Sequence, residues 1–288
     1  MISRFLPSDF DPAGTLTLLS GRGAYPRILA ERARAAGVPV SLIAIEGEID
    51  PEFVATFPRE RVITVKLGQL GHFLKGLEKL RSRYFVMCGQ VAPKRLFGGL
   101  GLDLKAAIIL AKLKERNAHT IFGAVSDEAA KIGVQQLDAR AFMDAEMPTL
   151  GCMVGKAKEI SEDELAFGIR IAKECARLDI GQGVVVSGGT VTAVEAYEGT
   201  DKMLRRCADI PKKNPLFVKT VKPNHDYRFD VPCFGMRTLE SLQIGGIKKV
   251  ALQVDNAVML EKEKVLAEAA RLGITIVGYG ENFENFKS

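Results

Sequence analysis

Between residues 15 and 88 the chain alternates short apolar runs with longer segments of helical periodicity. This alternation is typical of βαβ units, in which connecting helices bury both faces of a parallel sheet. Such a sheet binds its ligands at the carboxyl ends of its strands. The predicted strands are residues 15–20, 40–45, 62–65 and 84–88, and the predicted helices are residues 26–36 and 70–80. The first half of the chain is therefore expected to be a doubly wound α/β domain.

A second alternation follows an irregular stretch at residues 147–151. Ser161, followed by Asp163 and Glu164, forms a capping pattern that predicts a long helix ending near residue 178. The later predicted strands are residues 183–187, 191–197, 216–220, 249–254 and 274–277, and further helices are predicted from residues 200 and 262. We therefore expect an N-terminal Rossmann-like parallel-sheet domain at residues 1–148, linker included, and a C-terminal α/β catalytic domain at residues 149–288. A ligand is expected in the cleft between the two domains.

Charge and cysteine content exclude several classes of function. The formal net charge is +5, and the whole excess lies in residues 1–144, which hold 20 basic and 15 acidic residues. This excess is smaller than the clustered basic stripe of a nucleic-acid-binding protein, so no nucleic-acid partner is expected. The five cysteines include no C-x-x-C pair, which favours reduced thiols in the cytoplasm over a zinc or disulfide framework. Charged residues interrupt every apolar run before the roughly 18 residues that a membrane span needs.

The turn after the first predicted strand is a candidate phosphate site. Gly21, Arg22, Gly23 and Tyr25 stand there in a G-x-G-x-x-P pattern, where glycines permit close backbone approach and the next helix offers free N–H groups. The third glycine of the dinucleotide fingerprint is missing, although Glu46 follows the second strand, where a nicotinamide enzyme places its ribose-binding acid. The alternative is a tight strand-to-helix turn that uses glycine for geometry alone.

The segment 219–232 holds the densest group of ionisable side chains. If residues 225–230 are extended, Asp226, Arg228 and Asp230 lie on one side of the backbone. Two carboxylates on one side suit Mg²⁺, and an arginine with Lys219 and Lys222 suits phosphate oxygens. The pattern is thus consistent with phosphoryl chemistry. A ladder of Asp–Arg–Asp salt bridges that holds a loop explains the same pattern equally well.

A third group of candidate ligand-binding residues lies at and just after the end of the strand that is predicted at residues 191–197. Glu195 is placed at a strand end, where it can face a ligand, whereas Thr200 and Asp201 stand where a helix begins. Threonine and aspartate are common N-cap residues, and capping explains at least one of them.

Residues 103–116 are predicted to form a basic amphipathic helix. Leu104, Ala107, Ile108 and Ala111 form one apolar stripe, and the basic residues Lys105, Lys112, Lys114 and Arg116 lie elsewhere on the helix. Such a helix either packs on its domain with solvated lysines or lies on a membrane surface.

Several motifs resemble the UDP-2,3-diacylglucosamine pyrophosphatase family of lipid A biosynthesis, in its two-domain form. The most specific are E-G-T-D at residues 198–201 and K-P-x-x-D-x-R-F-D-x-P at residues 222–232. Residues 19–26, 66–71 and 86–91 resemble the same family, so the resemblance extends over nearly the whole chain. It departs at two positions: His225 stands where the family has glutamine, and Arg22 stands where a small residue is common.

The resemblance implies Mg²⁺-dependent hydrolysis of UDP-2,3-diacylglucosamine to UMP and 2,3-diacylglucosamine 1-phosphate. It implies that Asp226 is the catalytic residue. The spacing makes Asp226 and Asp230 the candidate metal ligands, and a salt bridge to Arg228 explains Asp230 equally well. With the spacing arguments above, the resemblance points to a set of substrate-binding residues, namely Gly21, Arg22, Gly23, Tyr25, Gln69, Gly89, Gln90, Glu195, Thr200, Asp201, Lys219, Lys222, His225 and Arg228.

Two other functions remain open at this point. The first turn and Glu46 suit a nicotinamide-dependent oxidoreductase, and a structural Asp–Arg–Asp cluster suits a binding protein for nucleotide sugars or lipids. A diacylated substrate implies a cytoplasmic protein that touches the inner membrane surface transiently. A homodimer is the expectation from base rates.

Overall fold

The computed structural model describes residues 2–91, 101–113, 115 and 118–281, with residues 118 and 119 described by backbone alone. Contacts divide the chain into two compact units. The first unit runs as far as Asp144 and also contains Asp226–Asp230, whereas the second contains Ala145–His225 and resumes at Val231. The domain division predicted from the sequence placed residues 226–230 in the second domain. In the folded chain they pack with the first unit instead.

The first unit contains the predicted parallel sheet. Within the described residues it has five strands in the order β3-β2-β1-β4-β5, all parallel. This is the order found in doubly wound folds. Every residue of β2 is buried, as a strand covered on both faces requires. The strands are β1 (Thr15–Ser20), β2 (Val40–Ile45), β3 (Val62–Val65), β4 (Ser82–Cys88) and β5 (Gln135–Gln136).

Helices connect and cover these strands. The described helices of the first unit are α1 (Ala24–Ala35), α2 (Pro51–Val54), α3 (Leu70–Lys79), α4 (Leu104–Lys112) and α5 (Ala118–Lys131). Asp103 caps α4, because one carboxylate oxygen accepts a hydrogen bond from the Ala106 N–H (2.9 Å). Its other oxygen accepts from the Gly71 N–H at the start of α3 (2.6 Å), so one side chain ties the beginnings of two helices together.

The apolar stripe noted in the sequence faces outward on α4, so of the two alternatives the stripe does not pack on its own domain. Leu104 is 78% exposed and Ile108 is 46% exposed, whereas Ala106 is buried. The reason is that α4 carries apolar residues around most of its circumference, so periodicity alone does not select the buried face. Two of the four lysines and arginines of this segment, Lys114 and Arg116, lie outside the described residues.

The second unit is also α/β, but its main sheet is mixed. Within the described residues that sheet has six strands in the order β6-β13-β11-β9-β7-β8; β9, β11 and β13 are parallel, and β6, β7 and β8 pair antiparallel. Two short strands, β10 and β12, pair separately. The strands are β6 (Gly151–Val154), β7 (Gly183–Ser187), β8 (Thr190–Val194), β9 (Leu216–Lys219), β10 (Cys233–Phe234), β11 (Lys249–Gln253), β12 (Val258–Met259) and β13 (Thr275–Tyr279).

The described helices of the second unit are α6 (Glu162–Arg177), α7 (Thr200–Arg206), α8 (Met236–Ile244) and α9 (Lys262–Leu272). The predicted cap of α6 is confirmed, since the Ser161 hydroxyl accepts a hydrogen bond from the Glu164 N–H (3.2 Å). No described helix combines the length and the hydropathy that crossing a bilayer requires.

Candidate active site

Two glycine turns at the carboxyl ends of β1 and β4 are joined by their backbones. The Arg22 N–H donates to the Gln90 carbonyl (3.0 Å), and the Gln90 N–H donates to the Arg22 carbonyl (2.8 Å). A Cβ atom on Gly21 would lie 2.2 Å from the Gln90 carbonyl oxygen, and one on Gly89 would lie 2.8 Å from the Arg22 carbonyl oxygen. Both glycines therefore serve the close approach of two backbones, which is the geometric role considered as the alternative for the first turn.

The side chains of this turn are held by protein partners. Arg22, whose side chain is 54% exposed, forms an ion pair with Glu48, whose side chain is fully buried. Tyr25 is buried, and its hydroxyl donates to the Ala139 carbonyl. Glu46, the expected ribose-binding acid, is exposed instead. The carboxylate that pairs with Arg22 is thus Glu48, two residues after Glu46.

An apolar cavity of about 370 Å³ lies at the carboxyl edge of the first sheet. Its walls include Leu19, Ile45, Val65 and Met87, which stand at or next to the last residues of β1, β2, β3 and β4. Gln69, which immediately precedes α3, also lines the cavity, and its side-chain oxygen accepts from the Lys66 N–H (3.2 Å). The edge at which a doubly wound sheet binds its ligand therefore bears an apolar chamber.

Residues 226–230 form a turn, so the extended backbone on which Asp226, Arg228 and Asp230 would share one side is not present. The Phe229 N–H donates to the Asp226 carbonyl (3.3 Å). The Asp226 carboxylate accepts from the Arg228 backbone N–H (3.1 Å), from Nε (2.9 Å) and from Nη2 (2.7 Å). The hydrogen bonds that Arg228 donates to Asp226 raise the pKa of the Arg228 guanidinium above its ordinary value. Asp226 and Arg228 therefore form a fork-shaped pair within one turn, and Asp230 is exposed beside it.

The turn is fastened to the first unit by backbone and ring contacts. The Tyr227 carbonyl accepts from the Ala139 N–H (3.0 Å), and the Arg228 carbonyl accepts from Gln136 Nε2 (2.7 Å). The guanidinium of Arg140 lies 3.3 Å from the centroid of the Tyr227 ring. These contacts explain why the segment belongs to the first unit.

In the second unit the structure brings three predicted residues together. Lys219 Nζ lies 2.7 Å from Glu195 Oε2 and 2.8 Å from Thr200 Oγ1, and the Thr200 hydroxyl donates to Glu195 Oε1 (2.6 Å). Lys219 is only 7% exposed. The strand ends of β8 and β9 and the first residue of α7 thus share one closed network of charge-assisted hydrogen bonds.

The other predicted residues of the second unit lie outside this network. Asp201 pairs with Arg237 (3.3 Å), and Lys222 pairs with Asp179 (3.1 Å). His225 is half-buried and is the last residue of the second unit before the chain enters the first unit at Asp226. Among the described residues, no group of three or more His, Cys, Asp or Glu side chains is arranged to hold a metal ion.

Two family models match the chain in succession. The model described as the LpxI N-terminal domain matches residues 15–145, and the LpxI C-terminal domain model matches residues 149–277. A similar protein is the UDP-2,3-diacylglucosamine pyrophosphatase LpxI of Caulobacter vibrioides, which is 31% identical over 278 residues, covering 91% of this chain and 96% of that protein. The chain belongs to the LpxI family. The family identification made from the motifs is therefore confirmed.

The two regions matched by the LpxI models differ in one respect from the two compact units of the structure. The two matched regions meet between residues 145 and 149, close to the boundary between the two units at Asp144 and Ala145. The return of Asp226–Asp230 to the first unit falls inside the region matched by the C-terminal model. Folding thus places the turn that holds Asp226 with the LpxI N-terminal domain.

Sequence reasoning missed several partners of the predicted site residues. Glu48 holds Arg22, Ser126 Oγ accepts from Arg228 Nη1 (3.4 Å), and Phe229 stacks near Phe122 with ring centroids 6.4 Å apart. None of these partners lies in a motif, so no sequence signal separates it from other residues of its type. Cys88 is buried, and burial raises the pKa of its thiol to about 12. A thiol with that pKa is protonated at neutral pH and is a poor nucleophile.

Proposed function

We propose that this chain hydrolyses the pyrophosphate bond of UDP-2,3-diacylglucosamine, giving UMP and 2,3-diacylglucosamine 1-phosphate in lipid A biosynthesis. The observation that carries the proposal is the turn at residues 226–230, where Asp226 and Arg228 stand together at the family's most specific motif. The relative from Caulobacter vibrioides, which bears the name of this activity, supports it over most of the chain.

Asp226 and Arg228 have complementary tasks in the proposed reaction. The Asp226 carboxylate accepts a proton from the attacking water, whose oxygen bonds to one phosphorus as the anhydride bond to the bridging oxygen breaks. The Arg228 guanidinium turns from the carboxylate to the phosphate group, two of whose oxygens can likewise accept a pair of parallel N–H hydrogen bonds. Their pairing within the free protein holds both side chains in place until the substrate arrives.

Magnesium fits the oxygen donors of this turn. Mg²⁺ is usually held by one or two carboxylates, with phosphate oxygens and water completing its shell, so a three-residue cage is unnecessary. Asp226 and Asp230 would hold the ion. When bound, it supplies positive charge that offsets the negative charge of the pyrophosphate.

We assign the remaining predicted residues to substrate binding. In the first unit these are the two joined glycine turns, with Arg22 and Gln69. In the second unit they are the Lys219–Glu195–Thr200 network and, next to it in sequence, Asp201, Lys222 and His225. Lysine and arginine at these positions suit the two phosphates of a nucleotide sugar.

A diacylated substrate also implies where the protein works. We infer a cytoplasmic protein that touches the inner membrane surface through the outer face of α4, where Leu104, Ile108, Lys105 and Lys112 are exposed. A homodimer, the commonest closed assembly, is part of the same proposal.

The decisive experiment incubates the protein with UDP-2,3-diacylglucosamine and Mg²⁺ and detects UMP together with the acylated sugar phosphate. We expect Asp226→Asn to lower the rate by at least about a hundredfold, the usual contribution of a general base. Asp9→Asn, an exposed aspartate of the same unit, is the matched control and should retain full activity. Removing divalent cations with EDTA should abolish UMP release, and added Mg²⁺ should restore it.

Full activity of a folded Asp226→Asn variant would overturn the assignment of Asp226. Retention of intact substrate without any UMP would favour the nucleotide-sugar or lipid-binding protein instead. Thermal stabilisation by NAD(P)⁺, with none by UMP or a UDP-sugar, would favour the oxidoreductase.

A further inference from the structure

We propose that Arg140 is a positioning residue, which acts on the proposed catalytic pair through Tyr227. This inference rests on the proposed function and goes beyond it, because Arg140 lies in none of the motifs that carry the family resemblance. Tyr227 stands between Asp226 and Arg228 in the chain. The placement of its backbone and ring therefore determines from where the two neighbouring side chains extend.

Two consecutive residues of the first unit hold both parts of Tyr227. The Ala139 N–H donates to the Tyr227 carbonyl (3.0 Å), and the Arg140 guanidinium lies 3.3 Å from the centroid of the Tyr227 ring. Ala139 is itself fixed, since it is buried and its carbonyl accepts a hydrogen bond from the Tyr25 hydroxyl. A cation over an aromatic ring is attracted by the negative face of the ring, and the attraction increases as water is excluded.

The Arg140 guanidinium is oriented by Asp138. Asp138 Oδ1 accepts from Arg140 Nε (3.0 Å) and Oδ2 accepts from Nη2 (2.6 Å), a fork-shaped pair that sets the plane of the guanidinium. The Asp138 carboxylate also accepts from the Arg140 backbone N–H (2.7 Å), so it ties the side chain to its own backbone. The Arg140 side chain is only 15% exposed, which leaves few other orientations open to it. An arginine held in this way constrains the position of the ring that it contacts.

The N-terminal segment brings a second ring to the same guanidinium. The centroid of the Phe5 ring lies 4.6 Å from the Arg140 guanidinium carbon. Phe5 is held in turn by Ser3, which is buried and whose hydroxyl accepts from the Phe5 N–H (3.3 Å) and from the Phe142 N–H (3.0 Å). These N-terminal residues precede the region matched by the LpxI N-terminal domain model, which begins at residue 15. The contact is therefore a feature of this chain outside the region that the family model matches.

The consequence for catalysis is geometric. Residues 226–230, all of which the structure describes, belong to no helix or strand, so contacts from neighbouring segments determine the shape of this turn. A general base must lie within hydrogen-bond reach of the water whose proton it accepts, and a displacement of about 1 Å can lower a rate about a hundredfold. Loss of Arg140 should therefore lower the rate at which bound substrate reacts and leave substrate affinity nearly unchanged.

The test compares Arg140→Met with the natural protein at a temperature at which circular dichroism shows both to be folded. We expect kcat for UMP release to fall by about ten- to a hundredfold while KM changes by less than about twofold, as the loss of positioning in the bound state requires. Arg83→Met is the matched control. Arg83 also pairs with an aspartate, Asp11 (3.4 Å), and lies 5.8 Å from the centroid of a tyrosine ring, that of Tyr84, in the same unit. Its loss should leave kcat at the natural value.

Phe5 provides a second pair of variants if Arg140→Met does not fold. Phe5→Ala removes one of the two rings and should lower kcat by about two- to fivefold, the equivalent of one exposed cation–π contact. Phe5→Tyr keeps the ring and should keep the natural kcat. A purely structural role would lower the melting temperature of Phe5→Ala and leave kcat of the folded protein unchanged.

The outcomes distinguish this inference from the proposed function. An unchanged kcat in folded Arg140→Met or Phe5→Ala would overturn the inference, as would an equal fall in Arg83→Met. A raised KM with unchanged kcat would make Arg140 a substrate-binding residue and overturn it as well.

Hydrogen exchange tests the positioning role without activity. If the natural protein releases no UMP, the proposed function fails, and the exchange of the Arg228 and Phe229 amides, which donate to Asp226, still reports on the turn. Arg140→Met should speed exchange at both amides, and Arg83→Met should not. Unchanged exchange in Arg140→Met would show that Arg140 does not hold the turn and would overturn the inference.

Discussion

At the scale of single residues, buried charges in this protein are compensated at short range. Lys219 is balanced by Glu195, and the Thr200 hydroxyl joins both groups. Glu48 is fully buried and is balanced by Arg22. A buried ion is costly unless it is paired and hydrogen-bonded, so these contacts constrain the positions of the strand ends as well as the charges.

Replacing Lys219 by methionine should strongly destabilise the protein, because it leaves the Glu195 carboxylate, whose side chain is only 12% exposed, without its counter-charge. We expect the free energy of unfolding to fall by about 3–5 kcal/mol, measured by urea denaturation. Lys222→Met is the control: its partner Asp179 is 79% exposed, and its loss should cost less than about 1 kcal/mol. Equal losses for the two variants would show that the buried network does not stabilise the fold.

The residue types of the site were readable from the sequence, whereas their partners were not. The sequence singled out Glu195, Thr200 and Lys219 separately, and only the folded sheet brings them within 3 Å of one another. Conversely, the sequence placed Asp226 and Arg228 on one side of the backbone only if the segment was extended. The turn instead joins them directly, because a side chain two residues away can reach back to an aspartate.

At the scale of elements, strands were predicted better than helix faces. The bounds of β1, β2, β3 and β7 agree with the predicted ones, since continuous apolar runs ending at glycine or polar residues define buried strands clearly. The predicted strand at residues 191–197 ends earlier, at Val194, because the chain turns toward α7. Helix α8 was not anticipated, and the sequence left open whether the apolar stripe of α4 faces its domain or the outside.

The outer face of α4 leads to a prediction about membranes. Leu104→Gln should weaken binding to vesicles that contain anionic lipid by about tenfold or more, because a leucine that enters the bilayer contributes roughly 1.5–3 kcal/mol. Cosedimentation with vesicles measures the change. Leu178→Gln, at a 58% exposed leucine of the second unit, is the control and should bind as the natural protein does. Equal binding by all three proteins would remove α4 from the membrane contact.

At the scale of the whole molecule, the chain returns to its first unit after completing much of the second. Asp226–Asp230 packs with residues up to Asp144, although His225 and Val231 belong to the second unit. The proposed catalytic carboxylate and the apolar cavity therefore belong to one unit, and the Lys219 network belongs to the other.

Tyr227→Ala should loosen the first unit without affecting the second. Loss of the Arg140–Tyr227 contact, worth about 0.5–2 kcal/mol, should speed amide exchange at residues 135–140 roughly two- to thirtyfold. Hydrogen exchange followed by mass spectrometry would report this, with β9 and β11 unchanged. Tyr197→Ala removes a fully exposed ring of the second unit and should leave both units unchanged. Faster exchange throughout the chain would contradict the division into units.

The sequence by itself determined the α/β class, the family, most strand positions and the motif that contains Asp226. These properties follow from periodicity and local residue patterns, which act over a few neighbouring positions. The tertiary structure decided which groups meet: Arg22 with Glu48, Phe229 with the cavity wall, and the 226–230 turn with the first unit. Such pairings join residues far apart in the chain, and their energies depend on burial and distance, which exist only after folding.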